Sequence, residues 1–217
     1  MKLICNYMED VFLRHALNTL TQKTFGFNFE DWVVNGCFEG DYIPYSFMED
    51  GKILSNASAN RMCFMQNGIR RNYIQIGTVM TDEAYRNKGL ARKLVEQIIK
   101  EFESRCDGIY LFGDISALDF YRKLGFEEGL QHQYVLKTDY IPKLRNGALF
   151  RPVDKKDAQI KLNYIDAVRN SAVNSSLEQI NKYGLQMFYT WDLSDLYYAD
   201  DIDCFAVIEM WDDTLML

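Results

Sequence analysis

With 217 residues, 48% of them hydrophobic and 25% charged, the chain has the makeup of a globular protein with room for one ordinary domain plus a smaller piece. Its net charge of −7 is unevenly placed: residues 151–217 hold 12 acids against 6 bases, while the first 150 hold 19 against 18. Nucleic acid is therefore disfavoured as a partner, since phosphate contacts need a basic face. No run of about eighteen apolar residues suggests a membrane span, and the start Met1-Lys2-Leu3-Ile4-Cys5-Asn6 lacks the long apolar stretch of a signal peptide, so a cytoplasmic protein is expected.

A first strand is predicted at Leu3-Ile4-Cys5. Val11, Phe12, His15, Ala16, Thr19 and Leu20 repeat at helical spacing, which predicts a helix over 10–22 with His15 packed in the core. The segment from Phe25 to Trp32 is rich in aromatics, and Asn28 is placed to cap a second helix. Two apolar runs, Tyr42 to Met48 and Lys52 to Ser58, flank Asp50-Gly51, a strong hairpin signal. Tyr73 to Met80 supplies the next strand after the Asn67-Gly68 turn. A helix over 88–103 follows, with Leu90, Leu94, Val95, Ile98, Ile99 and Phe102 on one face. A strand over 109–113, a helix over 115–124 and a strand near 133–137 complete a domain over 1–140. Prolines and Asn146-Gly147 make 141–152 a linker. Beyond it lies a small acidic module, 153–217, with helices over 157–169 and 175–183 and a closing hairpin; a piece this short has a marginal core of its own. Five scattered cysteines without a C-x-x-C pair, and only two histidines, predict reduced buried thiols and no metal.

The chemistry concentrates where the strand ending Val79-Met80-Thr81 meets the helix. The loop Arg86-Asn87-Lys88-Gly89 opens into Leu90-Ala91-Arg92, so unpaired backbone N–H groups and the positive end of the helix dipole face outward. Gly89 admits a ligand close to the backbone. Acids are normally favoured at a helix start, so the bases Arg86, Lys88, Arg92 and Lys93 point to a bound anion, a phosphate or pyrophosphate. The P-loop and dinucleotide fingerprints are both absent.

Arg86-x-x-Gly89-x-Ala91 resembles the R/Q-x-x-G-x-G/A signature of the GCN5-related N-acetyltransferases. The later block Asp114-x-x-Ala117-x-x-x-Tyr121-x-x-x-Gly125-Phe126 is similar to the block with which that family closes its cofactor site. The resemblance covers roughly residues 1–138. It implies an α+β fold with a central, mostly antiparallel sheet and flanking helices, and acetyl-CoA as co-substrate without a metal. The pantetheine arm would run along Val79, Met80 and Thr81, and the pyrophosphate would lie at Asn87, Lys88, Gly89, Leu90, Ala91 and Arg92. Tyr121 matches the tyrosine that protonates the departing thiolate; a phenol with a pKa of about 10 is protonated at neutral pH. Two departures stand out. Asp114 replaces the usual pantetheine-binding asparagine and is better placed to cap the helix after it. Tyr73-Ile74-Gln75-Ile76 lacks the family's glutamate base, leaving Glu30, Asp31, Glu39 and Asp41 as candidates.

The resemblance implies an N-acetyltransferase acting on a small amine-bearing acceptor by direct attack in a ternary complex. The aromatics at 25–32 either line its pocket or cover a core edge. The acidic segment 192–213, with eight acids and no Lys or Arg, suits a cationic acceptor. Family members are often dimers, so a homodimer is an expectation. The alternative is a CoA-binding sensor or scaffold without turnover.

Overall fold

Strands joined by tight turns build the sheet that carries the site. The computed structural model describes residues 1–130, 149–170, 175–211 and 214–216. Its first half runs β1 (Lys2–Cys5), α1 (Val11–Phe25), α2 (Glu30–Val34), β2 (Tyr42–Glu49), β3 (Lys52–Gln66), β4 (Ile69–Thr81), α3 (Leu90–Phe102), β5 (Gly108–Leu111) and α4 (Leu118–Arg122). Then come β6 (Arg151–Pro152), α5 (Ala158–Asn170), β7 (Leu177–Gln179), α6 (Lys182–Thr190), β8 (Leu196–Ala199), β9 (Cys204–Val207), β10 (Glu209–Trp211) and β11 (Thr214–Met216). The main sheet has the order β1-β2-β3-β4-β5, with β7 added to β3. It is antiparallel through β4 and parallel between β4 and β5. This is the expected mixed α+β arrangement.

Both hairpins form where the dipeptides predict them. Asp50 and Gly51 have φ of 47° and 76°, and Asn67 and Gly68 have 50° and 78°, the two positive values that a tight primed turn requires. One face of the sheet packs on α3, where Leu94, Val95 and Ile98 meet Ala57, Ala59, Ile74 and Ile76.

The buried stripe of α1 is rotated from the one the apolar spacing suggests. Arg14, Leu17, Asn18, Leu20 and Thr21 face inward, while Val11, Phe12 and His15 are exposed. The cause is a polar clamp. Arg14 donates to the Met8 carbonyl at 2.7 Å and to both Glu30 carboxylate oxygens at 2.9 and 3.0 Å, and Asn18 donates to Glu30 at 3.1 Å. Glu30 thereby ties α2 to α1, and His15 lies outside at 3.5 Å from the same carboxylate. The N-cap of α2 is Phe29, not the expected Asn28, which lies one residue earlier and accepts from the Glu30 amide at 3.0 Å. All five cysteines are free, but only Cys37 and Cys63 are buried and Cys5 is exposed.

The described residues fall into two compact units, Met1–Glu127 with Val173–Phe188, and Glu128–Ala172 with Tyr189–Leu217. The second half of the chain is therefore not one contiguous module over 153–217. The helix expected at 175–183 is instead strand β7 followed by the start of α6. β3 runs past the end of β2, and its bare edge at Phe64–Gln66 takes up Leu177–Gln179. Asn181 extends this seam, accepting from the Cys63 amide at 2.8 Å and donating to the Arg61 carbonyl and the Asp41 carboxylate, each at 2.8 Å. In the second unit β6, β8 and β9 form a small antiparallel sheet, so Arg151 and Pro152 are strand and not linker. There Tyr164 of α5 packs on Phe205 and hydrogen-bonds Thr190 at 2.7 Å. β10 and β11 pair as a closing hairpin, but its first strand is only Glu209–Trp211 and not the expected 203–210, since Cys204–Val207 pairs with β8 instead. The strand expected at 133–137 and the linker residues 141–148 lie outside the described residues.

The clamp has a pH signature. The hydrogen bond from Arg14 holds the Glu30 carboxyl below its usual range. A depressed carboxyl stabilises the fold fully above the unfolded value of about 4.3, and that stability is lost as pH falls through the lower folded value. Urea unfolding of Glu30→Gln should therefore show a deficit against wild type at pH 7 that shrinks as the pH is lowered below about 4. An unchanged deficit at acid pH would assign the loss to packing instead.

Candidate active site

β4 is interrupted just before its end. Ser58 pairs with Gly77 but Asn56 pairs with Met80, so β4 carries one extra residue at Thr78-Val79. Thr78 has φ of 42°, a left-handed conformation costly for a β-branched residue. A chain of buried side chains holds it there. The Tyr7 hydroxyl meets Ser46 Oγ at 2.5 Å, and Ser46 Oγ donates to Asn56 Oδ1 at 2.7 Å. Asn56 Nδ2 then donates to the Thr78 carbonyl at 3.0 Å and to its Oγ1 at 3.2 Å. From the other side the Tyr42 hydroxyl meets Thr78 Oγ1 at 2.7 Å, and Oγ1 donates to Ser58 Oγ at 2.9 Å.

The donor directions follow from counting protons. Ser46 spends its only hydrogen on Asn56, so Tyr7 donates to Ser46. Thr78 spends its own on Ser58, so Tyr42 donates to Thr78. Burial raises the Tyr7 phenol strongly and pushes the Tyr42 phenol up to about 12, so both remain donors. Past the bulge, Ser55 Oγ donates to the Met80 carbonyl at 2.9 Å and meets Thr81 Oγ1 at 2.8 Å. These residues escape a sequence reading aimed at titratable motifs. The available signal is Ser55-Asn56-Ala57-Ser58, a small and polar run that directly follows the apolar Ile53-Leu54 in β3.

The bulge opens the sheet. Pairing of β4 with β5 ends at Ile76 with Leu111, two residues short of the strand end the sequence suggests. Gly77 to Thr81, including Val79, Met80 and Thr81, therefore have no strand beside them on the β5 side among the described residues. Arg86-Asn87-Lys88-Gly89 follows a short 3-10 turn at Glu83–Tyr85. Asn87 and Gly89 both have positive φ, 61° and 73°, and Gly89 is the N-cap of α3. No side chain caps this helix, its first turn has no acid, and no atom lies within 4 Å of where a Gly89 Cβ would be. The amides of Leu90, Ala91 and Arg92, at the positive end of a 13-residue helix, thus have no partner within the helix and no side-chain cap. Lys88 lies 4.6 Å over the Tyr85 ring, and Arg86 and Arg92 are exposed.

The second expected block returns to the same place. Arg92 donates to the Lys123 carbonyl at 3.3 Å, tying the start of α3 to the end of α4. Gly125 ends that segment with φ of 89°. The Tyr121 ring lies over Gly113, so close that a Cβ there would be 3.2 Å from its Cε2, and it packs edge-on against Phe120 and Phe126. Partial burial raises the Tyr121 phenol above its ordinary value. Asp114 accepts from the Ser116 amide at 2.8 Å, the capping role its position suggests, and hydrogen bonding from the Ser116 side chain and then its amide holds the carboxyl low. Ala117 is the N-cap residue of α4. Among the candidate bases, Glu30 is committed to Arg14. Burial raises the Asp41 carboxyl, which still accepts from Asn181.

The network predicts that Asn56→Leu, similar in size but without the amide, leaves the Ser46 hydroxyl and the Thr78 carbonyl without their partner. Each such group costs about 1–3 kcal/mol. The urea midpoint should fall accordingly, whereas a change within about 0.5 kcal/mol would mean the bulge does not need the network.

The family model for the acetyltransferase (GNAT) family matches residues 8–126. A stretch of 63 residues is 38% identical to a histone acetyltransferase, TAP1, of Glycine max, and to GCN5-related N-acetyltransferase 2, chloroplastic, of Arabidopsis thaliana. That stretch is 27% of this chain and 27% and 24% of theirs, so the chain spans about a quarter of the length of these relatives. The fold is similar to the crystal structure of an acetyltransferase of Trypanosoma brucei, with a TM-score of 0.51 and 20% identity over 63% of this chain and 99% of that one. Among the described residues no group of three or more His, Cys, Asp or Glu side chains is placed to hold a metal ion, and no helix is long and apolar enough to cross a membrane. A match over more than half of its length makes this chain a member of the GNAT acetyltransferase family.

Proposed function

We propose that this protein is an acetyl-CoA-dependent N-acetyltransferase acting on the primary amine of a small molecule. The observation that carries the reading is the juxtaposition of an unpaired β4 edge, held open by the bulge, with the uncapped amides of α3. These residues fit the cofactor. The open space over Gly89 and the amides of Leu90, Ala91 and Arg92 suit a pyrophosphate, with Arg86, Lys88 and Arg92 supplying positive charge. The unpaired edge at Val79, Met80 and Thr81 suits an extended amide-bearing arm laid down as an added strand.

Bound there, acetyl-CoA supplies a thioester whose acyl carbon an amine can attack. The reaction forms a C–N bond and breaks the C–S bond; the amine nitrogen loses a proton and the sulfur gains one. A fixed backbone N–H on the bulged edge of β4 favours charge gathering on the acyl oxygen, because it needs no reorganisation as that charge develops. Tyr121 holds a proton at neutral pH and gives it to sulfur. Of the four candidate bases Glu30 is held low and engaged by Arg14, which leaves Asp31, Glu39 and Asp41 for the amine proton.

Two variants test the reading. Gly89→Glu places a carboxylate where the pyrophosphate is expected and should abolish CoA binding by calorimetry. Gly89→Asn tolerates the same left-handed backbone without charge and should retain it. Equal affinity in both would remove the site. Tyr121→Phe should lower turnover by about 10²–10⁴ in a thiol-release assay with CoA affinity little changed. A loss under about threefold would give the proton to water.

A further inference from the structure

β4 and β5 present a second surface, opposite α3. Alternation places Tyr73, Gln75 and Gly77 on one face of β4, and Gly108, Tyr110 and Phe112 on the same face beside them. On this face lies a cavity of about 350 Å³ lined by Phe64, Gln66, Tyr73, Ile109, Tyr110 and Leu177. None of the lining side chains is charged. The rings meet edge to face: Phe64 and Tyr73 at 6.0 Å and 67°, Tyr73 and Tyr110 at 6.3 Å and 78°, Tyr110 and Phe112 at 5.9 Å and 85°. Gly108 makes the depth possible, because a Cβ there would lie 3.3 Å from two carbons of the Tyr73 ring. Phe112, 76% exposed, continues the row of rings past the last β4–β5 pair.

We propose that this trough receives the aromatic body of the acceptor, which makes the substrate a primary arylalkylamine. The inference rests on the acetyltransferase reading above. The volume is that of a small-molecule site and far too small for a folded partner. The uncharged lining offers a polyamine no counter-charge, while the tilted rings offer a further ring the face and edge contacts aromatic pairs prefer. Of the lining residues, Tyr110 lies nearest in register to the opening of the sheet. Tyr110 pairs with Gln75, two residues before Gly77, roughly 7 Å along the strand at about 3.3 Å per residue. A ring beside Tyr110 on a short alkyl tether therefore extends its amine along β4 toward the bulge.

The test compares phenethylamine with ethylamine, which share the amine and differ by the ring, and adds spermidine as a polycation. With the wild-type chain and acetyl-CoA, kcat/KM for phenethylamine should exceed that for ethylamine by about tenfold or more, since even one methylene in an apolar pocket is worth about that much. Gly108→Val, a residue at home in a strand, fills the floor and should collapse the phenethylamine-to-ethylamine ratio toward one. Tyr110→Ala serves the same purpose should the first variant not fold. Equal rates for the two amines, a preference for spermidine, or a ratio unmoved in both variants would overturn the proposal. Binding of phenethylamine without acetyl-CoA, followed through the Tyr73 and Tyr110 ring resonances, keeps the two readings apart. Shifts abolished by Gly108→Val support the trough even if no amine is acetylated, and that outcome would fail the transferase reading alone. Absence of any shift in the wild-type chain overturns the trough whatever the enzyme assay gives.

Discussion

The site depends on the chain of buried hydrogen bonds that ends at Thr78. A β-branched residue in the left-handed region costs on the order of 1–3 kcal/mol, and left alone it would relax into the regular ladder. Four hydrogen bonds converge on this one residue, two from Asn56, one from Tyr42 and one to Ser58. At about 0.5–1.5 kcal/mol each, they outweigh the strain. Breaking them is worse than their sum suggests, because Asn56, Ser46 and Ser58 are fully buried and have no water to turn to. The network stabilises an irregularity, and the irregularity carries the reactive edge.

From that bulge the rest of the site follows. With Thr78 and Val79 sharing one ladder position, β4 cannot continue beside β5, and the strands part after Ile76 and Leu111. The parting leaves backbone groups of β4 exposed on one side and carries β4 into the loop that starts α3. The apolar stripe of α3 fixes the direction of the helix, burying Leu94, Val95 and Ile98 against the sheet, so its uncapped start stays beside the opened edge. The bond from Arg92 to Lys123 brings α4, and with it Tyr121, to the same end of the sheet.

Local chemistry made much of this readable in the sequence. Asp50-Gly51 and Asn67-Gly68 demand positive φ at consecutive residues and so declare their hairpins. Leu90, Leu94, Val95 and Ile98 recur at helical spacing and declare α3. Arg86, Gly89, Ala91 and Tyr121 fall in motifs whose spacing the fold preserves. Long-range competition hid the rest. The apolar residues Val11 and Phe12 suggest one inward face for α1, but Arg14 finds a carbonyl and a carboxylate in the interior and takes that face for itself. Leu177-Glu178-Gln179 has no local reason to be a strand; it becomes one because β3 has a free edge far away in the chain. Thr78 was invisible for the same reason, since its conformation is set by Tyr7, Tyr42, Ser46 and Asn56, none of them its neighbour in sequence.

The most direct measurement is amide hydrogen exchange across Gly77–Thr81 and Leu90–Arg92, with and without acetyl-CoA. If the opened edge and the uncapped helix start hold the cofactor, amides in both segments slow together on its addition, while those of the paired stretch Tyr73–Ile76 change little. Acetyl-CoA binding that leaves both segments exchanging as before would contradict the account.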